Sequence, residues 1–318
     1  MREGDYIFRE TDVADYQRIS DLLTRCDFGP KRPEWLRWKY LDNPLGRARV
    51  FVIENSSNKE LEGLVAFEPR LFQNGDATPF VVMHAVEGFL KPEIRGKGLY
   101  PQLLQHAMTT IDAPMLGFPN KRAERIHIQC GWQILSTDER WYFPVAAGNH
   151  LKQWPLRILA PLVNFLSRAY ATLWLGREKP EIQMKSMTKA AKDYPARDNR
   201  IQGVRSAAFL NWRFINNPMR PYSAYEFFEN GESVGYCVYA LDGKSAELFD
   251  FSVERHSRTC LRMLVEHCRK RGITHLLFRG SGLALWKFGF VKWGAGGSYI
   301  AYNLPQGAYY LTFGDSDW

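Results

Sequence analysis

The chain has 318 residues, of which 45% are apolar and 24% charged, enough for one large or two ordinary globular domains. Its net charge of +8 favours anionic partners in general, but no long basic run or zinc-finger spacing points to nucleic acid. Five cysteines without a CxxC pair argue against a disulfide framework and a thiolate metal site, so no metal is expected. The charged first residues lack a secretory apolar stretch, which predicts a cytoplasmic protein.

The first half of the sequence predicts alternating strands and helices. A strand at 6–9 precedes a helix over about 12–25, with Thr11 as its N-cap, and a hairpin follows. The remaining predicted elements are the apolar strand Phe80–Leu90, a glycine-rich turn, a helix to about Thr110, a strand over 115–118, a helix over 122–129 and a strand over 132–135. Their order is β-α-ββ-β-turn-α-β-α-β, a mixed α/β unit.

A weak internal repeat indicates that this unit occurs twice. Leu-Arg-Trp-Lys-Tyr at 36–40 is followed by Asn43-Pro44, and Leu-Asn-Trp-Arg-Phe at 210–214 by Asn217-Pro218. The two tryptophans, Trp38 and Trp212, are 174 residues apart, as are the two Asn-Pro pairs. Proline cannot continue a helix, so each copy predicts a helix end before a hairpin. Matching order and offset favour duplication over chance.

The segment Leu156–Leu175 joins the two halves and is mostly apolar. Arg157, Asn164, Arg168 and Thr172 recur at helical spacing and form a narrow polar stripe. Two arginines, an asparagine and a proline argue against a membrane span. Two alternatives remain open: a helix packed against both domains, or a helix lying in a membrane surface. The lysine-rich stretch 176–199 is predicted to be a linker.

The strongest local motif is Arg-Gly-Lys-Gly-Leu-Tyr at 95–100, between an apolar strand and an amphipathic helix. Its glycines, Gly96 and Gly98, permit a tight turn and close approach of a ligand. Unpaired N–H groups at a helix start favour a phosphate, and Arg95 and Lys97 add positive charge. Neither the dinucleotide fingerprint GxGxxG nor the Walker form GxxxxGK[ST] is matched. The element is therefore suited to a pyrophosphate.

A second motif, Asn-Lys-Arg-Ala-Glu-Arg-Ile-His-Ile-Gln-Cys-Gly-Trp at 120–132, strengthens this interpretation. Together the two motifs resemble the GNAT superfamily of acyl-CoA N-acyltransferases over about residues 6–145. The first resembles the family form (R/Q)xxGx(G/A), and the second follows NxxAxxLYxxxGF, with His127 where the family usually has tyrosine. The fold class predicted for the chain is therefore α/β with a mixed sheet, in two tandem GNAT-like domains.

The resemblance implies a cofactor site for acetyl-CoA or a related acyl-CoA. The amides of Arg95, Gly96, Lys97, Gly98, Leu99 and Tyr100 would hold the pyrophosphate. Backbone groups of Phe89 and Leu90 would bind the pantetheine arm, and Asn120 would face it. His127 stands at the position of the family's general acid, which would protonate the departing thiolate; an ordinary helix histidine is the alternative.

For the general base, His84 and Glu87 are the ionisable residues on the strand before the phosphate turn. Being three residues apart, they face opposite sides of a regular strand unless a bulge intervenes. Glu87 is nearer the expected strand separation and is the first choice. For each residue the alternative is an ordinary hydrogen-bonded side chain.

The second copy lacks glycine in its corresponding turn, which reads Glu-Arg-His-Ser-Arg at 254–258. It is therefore predicted to be degenerate. The predicted domains are 1–148, which binds acetyl-CoA, an apolar helix and linker over 149–199, and a degenerate second domain over 200–318.

Three functions stay open at this point. The first is acyl transfer from acyl-CoA to a small amine, with an amino sugar of a surface-polysaccharide pathway suggested by the resemblance alone. The second is an aminoacyl-tRNA-dependent transferase, and the third is a non-catalytic CoA-binding or scaffold protein at a membrane-bound assembly. The partners predicted are the amine and, through Leu156–Leu175, a membrane surface at the inner face; no nucleic acid is expected, and oligomeric state is not predicted.

Overall fold

The computed structural model describes residues 5–24, 32–151, 155–177 and 181–316. Two sequence-level features, the predicted helix end at Arg25 and the cysteine Cys26, lie outside the described residues. The elements of the first half are β1 (Tyr6–Glu10), α1 (Tyr16–Thr24), α2 (Pro33–Tyr40), β2 (Arg49–Asn55), β3 (Leu61–Asn74), β4 (Phe80–Leu90), α3 (Leu99–Thr110), β5 (Met115–Gly117), α4 (Lys121–Gln129) and β6 (Gln133–Pro144).

The second half has a similar order of strands and helices. Its elements are α5 (Ala160–Leu175), β7 (Ile182–Ser186), β8 (Ile201–Gly203), α6 (Ala207–Leu210), β9 (Tyr222–Glu229), β10 (Glu232–Asp242), β11 (Ser245–Val253), α7 (Ser257–Lys270), β12 (His275–Ser281), β13 (Val291–Tyr302) and β14 (Tyr309–Thr312). A π-helical turn, Asn211–Ile215, extends α6. The α/β class with a large mixed sheet is confirmed.

Two local predictions differ from the structure. The cap before α1 is Asp12, whose carboxylate accepts from the Ala14 N–H and opens a 3-10 turn, whereas the Thr11 hydroxyl donates to the Val50 carbonyl. The predicted linker 176–199 contains β7, which pairs antiparallel with β9. Its lysine-rich composition concealed a strand that needs a distant partner to form.

One sheet runs through the whole molecule, and the two halves exchange strands at its centre. The main strand order is β1-β2-β3-β4-β5-β13-β6-β12-β11-β10-β9-β7. Strand β13 from the second half lies between β5 and β6, and β6 from the first half lies between β13 and β12. Each half therefore completes its sheet with a strand of the other. The domain limits at 148 and 199 stay a prediction, but neither half contains all of its own strands.

The two faces of the sheet are covered differently. On one face a single apolar core spans both halves and includes Trp38, Leu64, Trp212 and Phe249. On the other face each half has a separate core, the first packed under α3 and the second under α7. The halves are thus continuous on one side and distinct on the other.

The repeated tryptophans meet in the shared core. The rings of Trp38 and Trp212 stack with centroids 5.3 Å apart. The Trp38 Nε1–H donates to the Trp212 carbonyl, and the Trp212 Nε1–H donates to the Trp38 carbonyl, both at 2.8 Å. This reciprocal pair is what an approximate twofold relation between duplicated units produces, so the sequence repeat corresponds to structural symmetry.

The strand exchange predicts that the halves cannot fold separately. Fragments 1–177 and 178–318 divide the chain after the exposed residue Arg177. The cut separates β6 from both of its neighbours, β12 and β13, and separates β13 from both of its own, β5 and β6. We expect each fragment alone to be insoluble or unfolded and the co-expressed pair to assemble, because strand pairing across the cut is needed by both. Circular dichroism and gel filtration of the single and co-expressed fragments measure this. A folded, monomeric 1–177 fragment would contradict it.

Candidate functional site

Strands β4 and β5 separate at the position where the sequence predicts a ligand. Their parallel ladder runs only from Met83–Ala85 on β4 to Met115–Gly117 on β5. Strand β4 continues for five more residues to Leu90, paired there with β3 alone. The backbone N–H and C=O groups on that edge of β4 are available to an extended, amide-containing ligand.

The glycine turn before α3 forms an open cradle. Gly96 and Gly98 have φ angles of 78° and 74°, the left-handed region that glycine adopts without strain. A Cβ built on either residue meets no atom within 4 Å, so the space in front of this turn is clear. Gly98 is the N-cap of α3, whose first N–H groups and dipole point into that space. The turn fits a pyrophosphate.

Side chains next to the turn hold the end of β4. The Arg95 Nε–H donates to the Leu90 carbonyl at 3.0 Å, and its guanidinium lies 5.8 Å from the centre of the Phe89 ring. Phe89 is buried in the shared core, and Lys97 is exposed at the open side of the turn. Arg95 therefore orients the strand, and Lys97 carries charge towards the cradle.

Tyr100 departs from the family form, which has glycine or alanine as its sixth residue. Its ring turns back under the sheet towards Gly88, where a Cβ would lie 2.2 Å from the tyrosine hydroxyl. It also tilts against the His127 ring with centroids 6.2 Å apart. Burial raises the pKa of Tyr100, so its phenol is protonated at neutral pH. A proton-carrying hydroxyl thus lies against β4 where that strand leaves β5.

His127 is held as a proton acceptor. Its Nδ1 lies 2.8 Å from the Ala123 carbonyl, which can only accept, so Nδ1 carries the hydrogen and Nε2 has the lone pair. Burial lowers the pKa of His127. The ring packs edge-on against Trp132 at 4.9 Å. The geometry does not favour the acid role expected for His127, because a neutral imidazole in this tautomer has no proton to give from Nε2.

Asn120 caps the helix that follows it. Its side-chain oxygen accepts from the N–H groups of Arg122 and Ala123, each at 3.0 Å. This places Asn120 where β5 ends and α4 begins, beside the strand separation. Its first role is local, since the cap fixes the start of α4.

Glu87 lies beside two residues that the sequence analysis did not single out. The Lys39 Nζ donates to its Oε1 at 2.8 Å, and the Tyr40 hydroxyl donates to its Oε2 at 3.0 Å. Both partners come from α2, the helix of the Trp38 repeat. The carboxylate is nearly buried and paired with the Lys39 ammonium, so it is a positioned acceptor on the shared-core face.

A β-bulge brings the two candidate bases to the same side of the strand. Ala66 pairs with Glu87 and Glu68 pairs with His84, and the ladder skips Val86 between them. Because Ala66 and Glu68 share a face of β3, His84 and Glu87 share a face of β4. The bulge therefore overrides the spacing of three residues, which in a regular strand would place His84 and Glu87 on opposite faces.

His84 belongs to a fully buried charged cluster. Its Nδ1 lies 3.7 Å from Glu68 Oε1, the same oxygen that accepts from the Arg70 guanidinium. Within the described part of the chain, three buried atoms of this cluster have no hydrogen-bond partner: both ring nitrogens of His84 and the Oε2 of Glu68. Burial lowers the pKa of His84, while Arg70 and the neighbouring cations hold the pKa of Glu68 well below its usual range, against its burial. The cluster is a neutral imidazole beside an ionised carboxylate.

A small cavity opens from this cluster at the junction of the halves. Its volume is about 60 Å³, room for an ammonium group or a pair of waters. It is lined by Trp35, Trp38, Lys39, Glu68, Arg213, Asn217, Met219, Arg220 and Tyr222. Both copies of the repeat contribute to the lining, so the cavity exists only in the paired arrangement.

The second copy keeps the geometry of the strand but not that of the cradle. Val238 pairs with Asp250 next to a bulge at the same register, which makes Asp250 the counterpart of Glu87. The N-cap of α7 is His256, left-handed at φ 61° where the first copy has Gly98. Its Nε2 pairs with Glu229 at 2.8 Å. The His256 side chain and the Glu229 carboxylate occupy this helix start, so it lacks the open space that an anion would need.

Comparisons place this geometry among known folds. No protein-family model matches the chain, and no curated protein matches its sequence. A conserved protein of unknown function from Enterococcus faecalis V583, named a probable N-acyltransferase, matches with a TM-score of 0.65 and 12% identity, over 93% of this chain and 71% of that one.

Two further solved structures agree. A GCN5-related N-acetyltransferase from Anabaena variabilis ATCC 29413 has a TM-score of 0.63 and 11% identity, over 93% of this chain and 72% of that one. Another GCN5-related N-acetyltransferase, from Kribbella flavida, has a TM-score of 0.56 and 11% identity, over 95% of this chain and 72% of that one. With its separated strands, glycine cradle and paired halves, this chain has the fold of the GNAT superfamily.

Proposed function

We propose that the first half binds an acyl-CoA and that the protein transfers the acyl group to an amine. The observation that carries this is the free edge of β4 directly beside the open glycine turn of α3. The edge suits the amides of a pantetheine arm, with Phe89 and Leu90 supplying backbone groups, and the turn from Arg95 to Tyr100 suits the pyrophosphate. Acyl-CoA supplies the thioester that the amine attacks.

Glu87 is our first choice for the group that accepts the proton of the attacking amine. It lies on the shared-core face, next to the separation of β4 from β5, and it accepts hydrogen bonds from Lys39 and Tyr40. His84 shares that face and has a free lone pair, but its side chain is wholly buried behind Glu68. A base must come within hydrogen-bond reach of the proton it takes, which favours the less buried carboxylate.

Tyr100 is our choice for the group that protonates the leaving thiolate. Its phenol keeps its proton at neutral pH and contacts β4 at Gly88, whereas the tautomer of His127 leaves that ring an acceptor. In this arrangement the acid comes from α3, and His127 supports the ring of Tyr100 from α4.

The amine of the acceptor is proposed to enter the cavity at the junction of the halves, which has room for an ammonium group, while the rest of the acceptor stays outside it. The free oxygen of Glu68 and the rings of Trp35 and Trp38 can hold a protonated amine before it loses its proton. Amino sugars are the first acceptor class to screen, followed by other small primary amines.

The cofactor site is tested by calorimetric titration of acetyl-CoA. We expect binding to be lost in Gly96→Glu/Gly98→Glu, because the new side chains bring bulk and negative charge to the place proposed for the pyrophosphate. The matched control is Gly243→Glu/Gly272→Glu, since those glycines are also left-handed and face open space. The control carries the same backbone strain and charge and should bind like the wild type.

Equal loss in both double variants would assign the effect to backbone strain. A folded wild type that does not bind acetyl-CoA would exclude the proposal, and aminoacyl-tRNA binding would then be measured against a scaffold role.

The role of Glu87 is tested by Glu87→Gln. We expect kcat to fall by about 10²-fold or more, with the KM for acyl-CoA little changed, because the amide cannot take a proton. Activity should recover partly at high pH, where the free amine needs no base. The control for a lost ion pair is Glu54→Gln, which removes a carboxylate of β2 that pairs with Arg9 of β1. A large loss in His84→Gln with a normal Glu87→Gln would transfer the role to His84.

The two candidate acids are separated by Tyr100→Phe and His127→Phe. We expect Tyr100→Phe to lower the rate of thiol release by about 10²–10⁴-fold while acetyl-CoA still binds, since only the proton is removed. His127→Phe keeps an aromatic ring against Tyr100 and Trp132 and should cost much less. The reverse order of effects would return the role to His127.

A further inference from the structure

Helix α5 and the 3-10 turn before it, Leu156–Leu159, carry their apolar side chains outward. The segment Leu156–Leu175 is long and apolar enough to cross a membrane, by length and composition alone. Six large apolar side chains on it are between 48% and 78% exposed, and we call them the docking face: Ile158, Leu159, Leu162, Phe165, Leu166 and Leu173. A surface helix of a globular domain normally turns its apolar face to the core, whereas this helix turns its large apolar side chains to the outside.

Polar groups on the inner side of α5 fix this orientation. The Asn164 side chain accepts from the Gly148 N–H at 2.9 Å, and the Tyr170 hydroxyl donates to the Gly289 carbonyl at 2.7 Å. Ser167 is buried on the same side. The helix cannot rotate to hide the docking face without breaking these bonds. Nor can it leave the domain to span a bilayer without losing them.

The sequence that contains the docking face carries charge of one sign. From residue 145 to 177 the sequence contains four lysines and arginines and no aspartate or glutamate. Arg157 and Arg168 are exposed on the helix segment itself. The adjoining 3-10 turn, Leu285–Phe288, adds the exposed Trp286 and Lys287. An apolar face bordered by arginine, lysine and tryptophan matches the boundary between anionic headgroups and acyl chains.

We propose that the docking face lies flat in the surface of an anionic membrane, with α5 parallel to the bilayer plane. The apolar side chains enter the acyl boundary, and the basic side chains remain at the headgroups. The inward bonds of Asn164 and Tyr170 keep the domain attached above. The proposal takes the second of the two alternatives left by the sequence, the membrane surface, and it is independent of the acyl-transfer proposal.

Vesicle flotation tests this with the full chain. We expect binding to vesicles containing phosphatidylglycerol, weak binding to pure phosphatidylcholine, and weakening by salt. Leu162→Glu/Phe165→Glu should abolish binding. The control Val13→Glu/Leu241→Glu replaces two similarly exposed apolar side chains away from α5 and should bind like the wild type. Arg157→Gln/Arg168→Gln should weaken binding by about fivefold for each arginine.

Three outcomes would overturn the proposal. One is wild-type protein that does not float with anionic vesicles. Another is Leu162→Glu/Phe165→Glu protein that floats as well as the wild type. The third is a dimer, seen by sedimentation velocity, that the substitution Leu162→Glu/Phe165→Glu dissociates and that anionic vesicles do not disturb. The docking face would then pair with a second copy of the chain. None of these measurements uses acyl-CoA, so failure here leaves the cofactor titration unaffected.

Discussion

The antiparallel pair of β6 and β13 is the constraint on which the rest of the structure depends. Strand β6 comes from the first half of the sequence and β13 from the second, and each pairs with strands of the other half. The two halves therefore share one hydrogen-bonded sheet. This fixes the approximate twofold relation and brings the repeated helices together on one face. The stack of Trp38 on Trp212 follows, since each indole N–H finds its partner's carbonyl only when the two helix ends meet. The two repeated segments therefore lie in one continuous sheet.

Within that framework the two copies differ at the start of one helix. In the first, Gly98 leaves the start of α3 open; in the second, His256 occupies the equivalent place and pairs with Glu229. Near the second copy α5 also packs on α7, and the Arg258 guanidinium donates to the Trp174 carbonyl at the end of α5. The second helix start is therefore occupied by contacts within the chain, one of them to the end of α5.

The sequence predicted those features that depend on local signals. The limits of β4 agree with the predicted strand because apolar residues run without a break, and α3 begins where glycine permits a left-handed cap. Strand exchange was not predictable, since nothing within β13 specifies its neighbours. The bulge at Val86 also depends on the partner strand. Two signals were present but not used: Lys39 stands among buried aromatic residues in the repeat, and Tyr100 breaks the small-residue end of the family form.

The position of the charged cluster explains why a second copy without an open cradle is still needed. Glu87 and Glu68 face the core shared by both halves, and the cavity beside them has Trp38 on one side and Arg213 on the other. Removing the second half would expose these carboxylates to water, where pairing with lysine or arginine gains little. Enclosed by both halves, the same carboxylates lie in a low-dielectric space, where their interactions with neighbouring charges are stronger than in water. The first half thus contains the open glycine turn, and the junction of the two halves encloses Glu87 and Glu68.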